Sequence, residues 1–372
     1  PPLLYNLAEL QNDCSKLFKI SPDETLRIAQ ELYEKKLTTY PRTDARVLSS
    51  AVAKEIHKNI GGLRNYEIAA PYAERILQDG SYKAIAKSRY VNDKQITDHY
   101  AIIPTGQGFG ALNGLHPTSA KVYEIIVRRF LSIFYPPAVY RKVTLGIMLK
   151  GEFFSTGFKV LAQEGYLAVT RNSFAGKKAE GEDGGEKKEE EQENACDDAF
   201  LETLNTLKKG MELELAGLDK KEGETSPPKR YNSGTMILTM ENAGQFIEDE
   251  ELRAQIKGSG IGTSATRAEI LKKLVNIKYL ALNKKTQIIT PTQLGEMIYE
   301  VVAGAIKPLL DPRLTASWEK GLTLVADGEI TENEYMVKLD DFVTRRTNTV
   351  KQMNNQSILY NRFRYVEQFY KK

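Results

Sequence analysis

At Tyr140 the periodicity of this sequence changes, and that change restricts the available architectures more than any other feature. Up to about residue 134 the apolar side chains recur at helical spacing. From Tyr140 to Thr170 they alternate instead. Val143, Leu145, Ile147 and Leu149 share one face of an extended chain, Gly151-Glu152 reads as a hairpin turn, and Phe154 to Val160 returns. Helical spacing resumes after Ser226-Pro227-Pro228-Lys229-Arg230-Tyr231. A helical block, a strand block and a second helical block predict an α+β multidomain chain, and 372 residues exceed what one core usually serves.

These blocks set the expected boundaries: a helical domain over 1–134, a β domain over 135–229, a second helical domain over 230–344 and a basic aromatic tail over 345–372. In the first, Ser21-Pro22-Asp23-Glu24 joins an N-cap serine to proline at the first helical position and a glutamate three residues after the cap. The helix it starts should run to about Lys36, burying a face of Leu26, Ala29, Leu32 and Tyr33. A second helix is expected from Ser49 or Ser50 towards Gly61-Gly62, and a third from Pro117 to Phe134, closed by Pro136-Pro137. Residues 171–199 are charged, glycine-rich and poor in apolar groups, and read as a mobile loop within the β domain. Leu204 to Leu218 is expected to add one strand. Helices are expected over Ser233–Asn242, Thr266–Ile277, Thr292–Ala303 and Ala316–Ala326.

The stretch Leu37-Thr38-Thr39-Tyr40-Pro41-Arg42-Thr43-Asp44 concentrates the chemistry. A phenol with a pKa of about 10 is a poor nucleophile at neutral pH unless nearby cations favour its charged form. Arg42 is placed in sequence to supply such a field, and its fork suits two oxygens of a phosphate. Pro41 pushes Tyr40 out of the helical region into an extended conformation. Against this stands the ordinary use of tyrosine as an amphipathic packing residue, in a chain that has 19 of them. Gly260-Ile261-Gly262-Thr263-Ser264 suits a helix N-terminus, where free backbone N–H groups attract phosphate, although the same pattern also serves as a plain cap.

The Tyr40 stretch resembles the active-site segment of type IA DNA topoisomerases, especially the topoisomerase III branch. The resemblance continues through Pro1-Pro2-Leu3-Leu4-Tyr5-Asn6-Leu7, through Asp98-His99-Tyr100-Ala101-Ile102-Ile103-Pro104-Thr105 and through Gly260 to Ile270, in family order, and covers most of the chain up to about Asp327. It implies that the α+β multidomain chain is part of a toroid, with a helical tyrosine-bearing domain, an antiparallel β gate or hinge domain and a helical DNA-binding domain. It implies that Tyr40 forms a covalent link to the 5′ phosphate of a cut single strand, with Arg42 and His99 as its partners. Thr263, Ser264, Thr266 and Arg267 are implied to contact the backbone of that strand. A catalytically inactive single-stranded DNA-binding or interaction module is the alternative.

Departures from the family pattern are also visible. Tyr100 stands where relatives usually carry a second histidine or a glutamate, and Ile277-Lys278 precedes Tyr279 where an arginine-glycine pair is common. The acidic Toprim domain that holds Mg2+ in the family finds no counterpart, since Glu248-Asp249-Glu250 is a poor substitute for an Asp-x-Asp segment. The resemblance therefore implies the C-terminal part of a longer enzyme, with Mg2+ bound by a domain outside these residues, and an isolated piece that binds DNA without relaxing it. Single-stranded DNA is the expected partner, with a helicase as a further candidate in the full system.

Composition excludes other classes. Cys14 and Cys196 are too few for a disulfide framework, and with His57, His99 and His116 they give no zinc spacing. No apolar run reaches the ~20 residues needed to span a bilayer, and the start carries no signal-like region, so no membrane partner and a cytoplasmic location are expected. Residues 176–193 hold four lysines against eight acids. Because the whole chain is +3, the remainder is +7, which suits a polyanionic partner. In the tail, Arg345, Arg346, Lys351, Arg362 and Arg364 interleave with Tyr360, Phe363, Tyr365 and Phe369. That pattern fits either sequence-tolerant strand binding or a terminal helix packed on its neighbour.

Overall fold

A computed structural model describes residues 1–174, 194–195, 202–204, 206–256 and 260–370. The chain divides into two compact units: one of residues 1–4, 47–93 and 103–228, the other of 5–46, 94–102 and 229–372. The fold is mixed, mostly helical with small sheets.

The second unit opens with a helix over Leu7–Phe18, capped by the Asn6 side chain accepting from the Glu9 N–H. The next helix, Pro22–Glu34, starts as its capping sequence predicts, with the Ser21 hydroxyl accepting from the Glu24 N–H. It buries Thr25, Leu26, Ile28, Ala29 and Leu32, each apolar side chain so buried contributing roughly 1.5–3 kcal/mol. Tyr33, expected on that face, is 40% exposed because its ring turns to meet another tyrosine edge-on.

The helix Ser233–Glu241 begins with a capping box between Asn232 and Thr235 and packs on the Leu7–Phe18 helix. Gly234 makes that approach possible, since a Cβ there would lie 2.6 Å from the Asn12 Cα. Ala8, Ile237, Met240, Leu271 and Ile289 form the core between these elements. The helix Arg267–Asn276 and a short hairpin, Leu280–Leu282 with Ile289–Pro291, close this part. Helices follow over Gln293–Ala305, Pro312–Ala326, Glu332–Gln352 and Gln356–Glu367. The last of these packs along Gln293–Ala305, with Arg362 bound to Glu300 at 2.9 Å. The tail therefore takes the packed-helix form, although Tyr360, Tyr365 and Phe369 remain exposed.

In the first unit, the helices Ser50–Gly62 and Pro117–Ser132 start where expected, after the Ser49 cap and at Pro117, where the His116 side chain accepts from the Thr118 N–H. The second stops two residues short of Phe134. The ion pair Glu124–Arg128 at 2.6 Å is buried and fully engaged, with the arginine also donating to the Val169 carbonyl and Glu124 accepting from Ser173. The strands Val139–Leu149 and Glu152–Gln163 pair antiparallel. Their turn falls on Lys150-Gly151, one residue before the expected pair. Both residues have positive φ, at 49° and 91°, which matches the twist a two-residue hairpin needs.

The expected strand over Leu204–Leu218 does not form. Residues 207–231 have no regular structure, and Met211, Leu213, Leu215 and Leu218 are exposed. The acidic loop expected over 171–199 lies almost wholly outside the described residues, as does Cys196. Asn194–Ala195, inside that range, pairs parallel with Phe158 and Lys159.

Candidate active site

All of the following residues belong to the second unit. After the Pro22–Glu34 helix, Lys36 takes a left-handed conformation at φ 61° and the chain turns into an extended run. Leu37 and Thr38 are buried on one side of Tyr40 and Pro41 is buried on the other, which leaves the tyrosine half-buried on a fixed stretch.

Two threonines flanking that tyrosine sew it to a remote segment. The Thr39 hydroxyl donates to the Ala101 carbonyl at 3.0 Å, and the Thr43 hydroxyl donates to the His99 carbonyl at 2.8 Å. The bridge between Tyr5 and Ile102 holds the same segment from the other side. The result is that the Tyr40 and His99 rings lie 4.4 Å apart at 44°. Tyr33 meets the other edge of Tyr40 at 5.4 Å and 81°. His99 is exposed. Arg42 is exposed as well, and makes no hydrogen bond or ion pair among the described residues. A phenol in contact with an imidazole, and an exposed guanidinium two residues along the chain, are chemically suited to a phosphodiester.

A polar cluster gathers around the buried Arg267, with Asn6 also buried and Asp44 reaching solvent. Arg267 is 1% exposed and donates to Asp44 Oδ1 at 2.9 Å and to the Ile261 carbonyl at 3.3 Å, and it lies 3.9 Å from Glu241 Oε1. The Asn6 amide donates to Glu241 Oε1 at 2.7 Å and to the Asp44 carbonyl at 3.1 Å. Glu9 faces the same group and is itself paired with Arg46 at 2.6 Å. Burial pushes the Glu241 carboxyl up to about 7; Arg267 opposes that shift, while Asp44 and Glu9 add to it. Arg267, expected on the backbone of a DNA strand, is therefore placed inside the fold, where it clamps the Tyr40 stretch to the Gly260–Gly262 loop.

That loop depends on its glycines. Gly260 and Gly262 have φ of 65° and 69°, and a Cβ on Gly260 would lie 2.4 Å from the Met240 carbonyl oxygen. The Thr266 hydroxyl accepts from the Thr263 N–H at 2.9 Å, just before the helix begins at Arg267. Thr263 and Thr266 are exposed and Ser264 is partly so. Lys278, the stand-in for the arginine-glycine pair, is exposed in a left-handed turn at φ 61°. Burial pushes the Tyr100 phenol up.

Sequence reasoning missed Asn6, Asp44 and Glu241 as members of this cluster. Asn6 and Asp44 lie within the family-like stretches, but Glu241 is an ordinary helical glutamate until the fold brings it to Arg267. The residues near Tyr40 do not fit the magnesium that the resemblance implies. Asp44, Glu241 and Glu9 are committed to Arg267, Asn6 and Arg46, and among the described residues no three His, Cys, Asp or Glu side chains are grouped to hold a cation. Among the described residues, no helix is long and apolar enough to cross a membrane.

Comparison with known proteins gives consistent matches. A family model described as DNA topoisomerase matches residues 1–337. DNA topoisomerase 3 of Bacillus licheniformis is 33% identical over 359 residues, covering 95% of this chain and 46% of that protein. DNA topoisomerase 3 of Bacillus subtilis is 34% identical over 360 residues, covering 96% and 45%. The chain thus spans about half the length of the curated relatives it matches. Full-length topoisomerase I from Thermotoga maritima shares the fold at a TM-score of 0.57 and 20% identity, covering 93% of this chain and 49% of that one.

Proposed function

Because the chain belongs to the type IA DNA topoisomerases, in their topoisomerase III-like branch, we propose that it carries the strand-cutting half of such an enzyme, with Tyr40 as nucleophile. The Tyr40 oxygen attacks a backbone phosphorus of single-stranded DNA. A bond forms between that oxygen and phosphorus, the bond to the 3′ oxygen breaks, and the 3′ oxygen leaves as a hydroxyl after taking up a proton. The 5′ phosphate stays on the tyrosine as an ester that keeps the energy of the cut bond. Reversal of the same step reseals the strand after another has passed through the gap.

Arg42 holds the non-bridging phosphate oxygens, and its charge favours the phenolate. His99 donates a hydrogen bond to the same phosphate. Thr263, Ser264 and Thr266 bind the backbone of the strand, while Arg267 acts from below by holding Asp44.

The observation that supports this reading most directly is the convergence of Tyr40 and His99, from distant stretches, on one accessible surface. The test uses a suicide oligonucleotide, with the chain alone and joined to the portion of the Bacillus subtilis relative outside the match. A covalent adduct mapped to Tyr40 in the joined protein is the expected result. Salt-sensitive binding with no adduct under any condition would overturn the reading and reduce the chain to a single-strand binding module.

A further inference from the structure

Glu241 is the last residue of its helix, where the dipole disfavours a negative charge. It also sits in an acidic neighbourhood. Asp44 faces it from the tyrosine stretch, Glu9 from the Leu7–Phe18 helix and Arg267 from the helix that follows the glycine loop. Glu9 is already matched by Arg46, so Arg267 serves two carboxylates. A glutamine would accept the same Asn6 hydrogen bond without the penalty of a buried charge. Only a carboxylate competes with Asp44 for the guanidinium.

We propose that Glu241 is a positioning residue for Tyr40, dividing Arg267 with Asp44 so that its protonation state sets how the Tyr40–Asp44 stretch is held. This rests on the reading of Tyr40 as the nucleophile. When Glu241 is ionised, the guanidinium is shared between the two acids. When Glu241 is protonated, Arg267 is left to Asp44 alone. The Asn6 amide bonds both Glu241 and the Asp44 carbonyl, so a shift at one is felt at the other. Thr43, next to Asp44, passes it on through its bond to the His99 carbonyl. The Glu241 carboxyl titrates near 7, which puts the change in the neutral range.

The experiment follows the ring signal of Tyr40 by NMR in the full chain with ring-13C-tyrosine, assigned through Tyr40→Phe. The His99→Gln background removes the imidazole that contacts the Tyr40 ring. The expected result is a step in the Tyr40 signal with a midpoint of about 7, absent when Glu241→Gln is added. A flat signal in His99→Gln, or a step that survives Glu241→Gln, overturns the proposal.

Should circular dichroism show that Glu241→Gln is unfolded, 13C-labelled glutamate reports Glu241 directly in His99→Gln. Titration of Glu241 together with the Tyr40 step supports the proposal, and titration near the ordinary value of 4.5 overturns it. A merely structural glutamate would lower stability without a step at Tyr40. None of these readouts involves DNA, so their failure is distinct from failure of the adduct test.

Discussion

The Thr43 hydroxyl donates to the His99 main-chain carbonyl at 2.8 Å and accepts from the Ala45 N–H at 3.1 Å, so one side chain fixes both the tyrosine stretch and the histidine segment. Thr43→Val keeps the shape and removes both bonds. The expected cost is about 1–3 kcal/mol of stability, because a buried N–H and a carbonyl lose their partner. Adduct formation should fall on the order of tenfold to a hundredfold, since misplacement near a reacting atom is costly. Urea denaturation and oligonucleotide capture by the joined protein measure the two effects, and unchanged capture would remove Thr43 from the positioning scheme.

Tyr40→Phe deletes the nucleophilic oxygen and leaves the ring contacts with Tyr33 and His99 in place. Stability should change by no more than about 0.5 kcal/mol, the range typical of substitutions that break no buried interaction. The SDS-resistant adduct should disappear entirely while single-strand binding stays intact. An adduct that persists in this variant would move the chemistry to another residue.

Arg42 is exposed and pairs with no described acid, so its removal should leave folding alone. Arg42→Ala should weaken single-strand binding, with the salt dependence of log K falling by about 0.7 for one lost phosphate contact. Fluorescence anisotropy across a salt series gives that slope. An unchanged slope would place Arg42 away from the strand.

Arg267 behaves differently because it is 1% exposed. Arg267→Ala leaves the buried Glu241 and the partly exposed Asp44 without their cation and should cost about 1–3 kcal/mol, less than a fully buried pair would, because water screens the 37% exposed Asp44. Arg267→Lys should recover only part of this, since a point charge cannot reach Asp44, the Ile261 carbonyl and Glu241 at once. Because the loss acts through folding, strand binding per folded molecule should fall far less than stability does.

The contrast between Arg42 and Arg267 shows what the sequence could reveal. Start signals at Ser21, Ser49 and Pro117 are local, so the helix starts they predict appear in the structure. The Lys150-Gly151 turn was legible to within a residue for the same reason. The strand expected over Leu204–Leu218 fails to form, because pairing is a property of the rest of the fold and no window of sequence contains it. Arg267 and Arg42 are both plain arginines in motif-like stretches. Only the arrival of Asp44, Glu241 and Ile261 around Arg267 separates a brace from a surface cation. The neighbours of Glu241 come from three other stretches of chain, so no window around it hints at its environment.

That environment also predicts how stability depends on pH. Glu241 has an ordinary value of 4.5 in the unfolded chain and one of about 7 in the folded protein, where burial disfavours its charge. Between these values the folded form keeps the proton that the unfolded form has released. The folded state therefore binds more protons, and stability falls as pH rises through this window. The full span corresponds to about 3 kcal/mol, at about 1.4 kcal/mol for each unit of difference. Asp93, Asp311 and Glu334 act in the opposite direction. Their carboxyls are held below the ordinary values of 3.8 and 4.5 by hydrogen bonds from Ser50, Arg313 and Thr331, and the stability they lend is lost only as pH falls further. Those acid windows lie below that of Glu241, whereas the Pro1 amino group, held below its ordinary value of 8.0 by burial and by Arg89, works against Glu241 from the alkaline side, so it is the comparison with Glu241→Gln that isolates the Glu241 part. Urea denaturation of the native chain at a series of pH values should show stability declining from pH 4.5 to 7, and Glu241→Gln should flatten that decline. A native curve already flat across this range, or an equal slope in the variant, would mean that the Glu241 charge is not what burial makes costly.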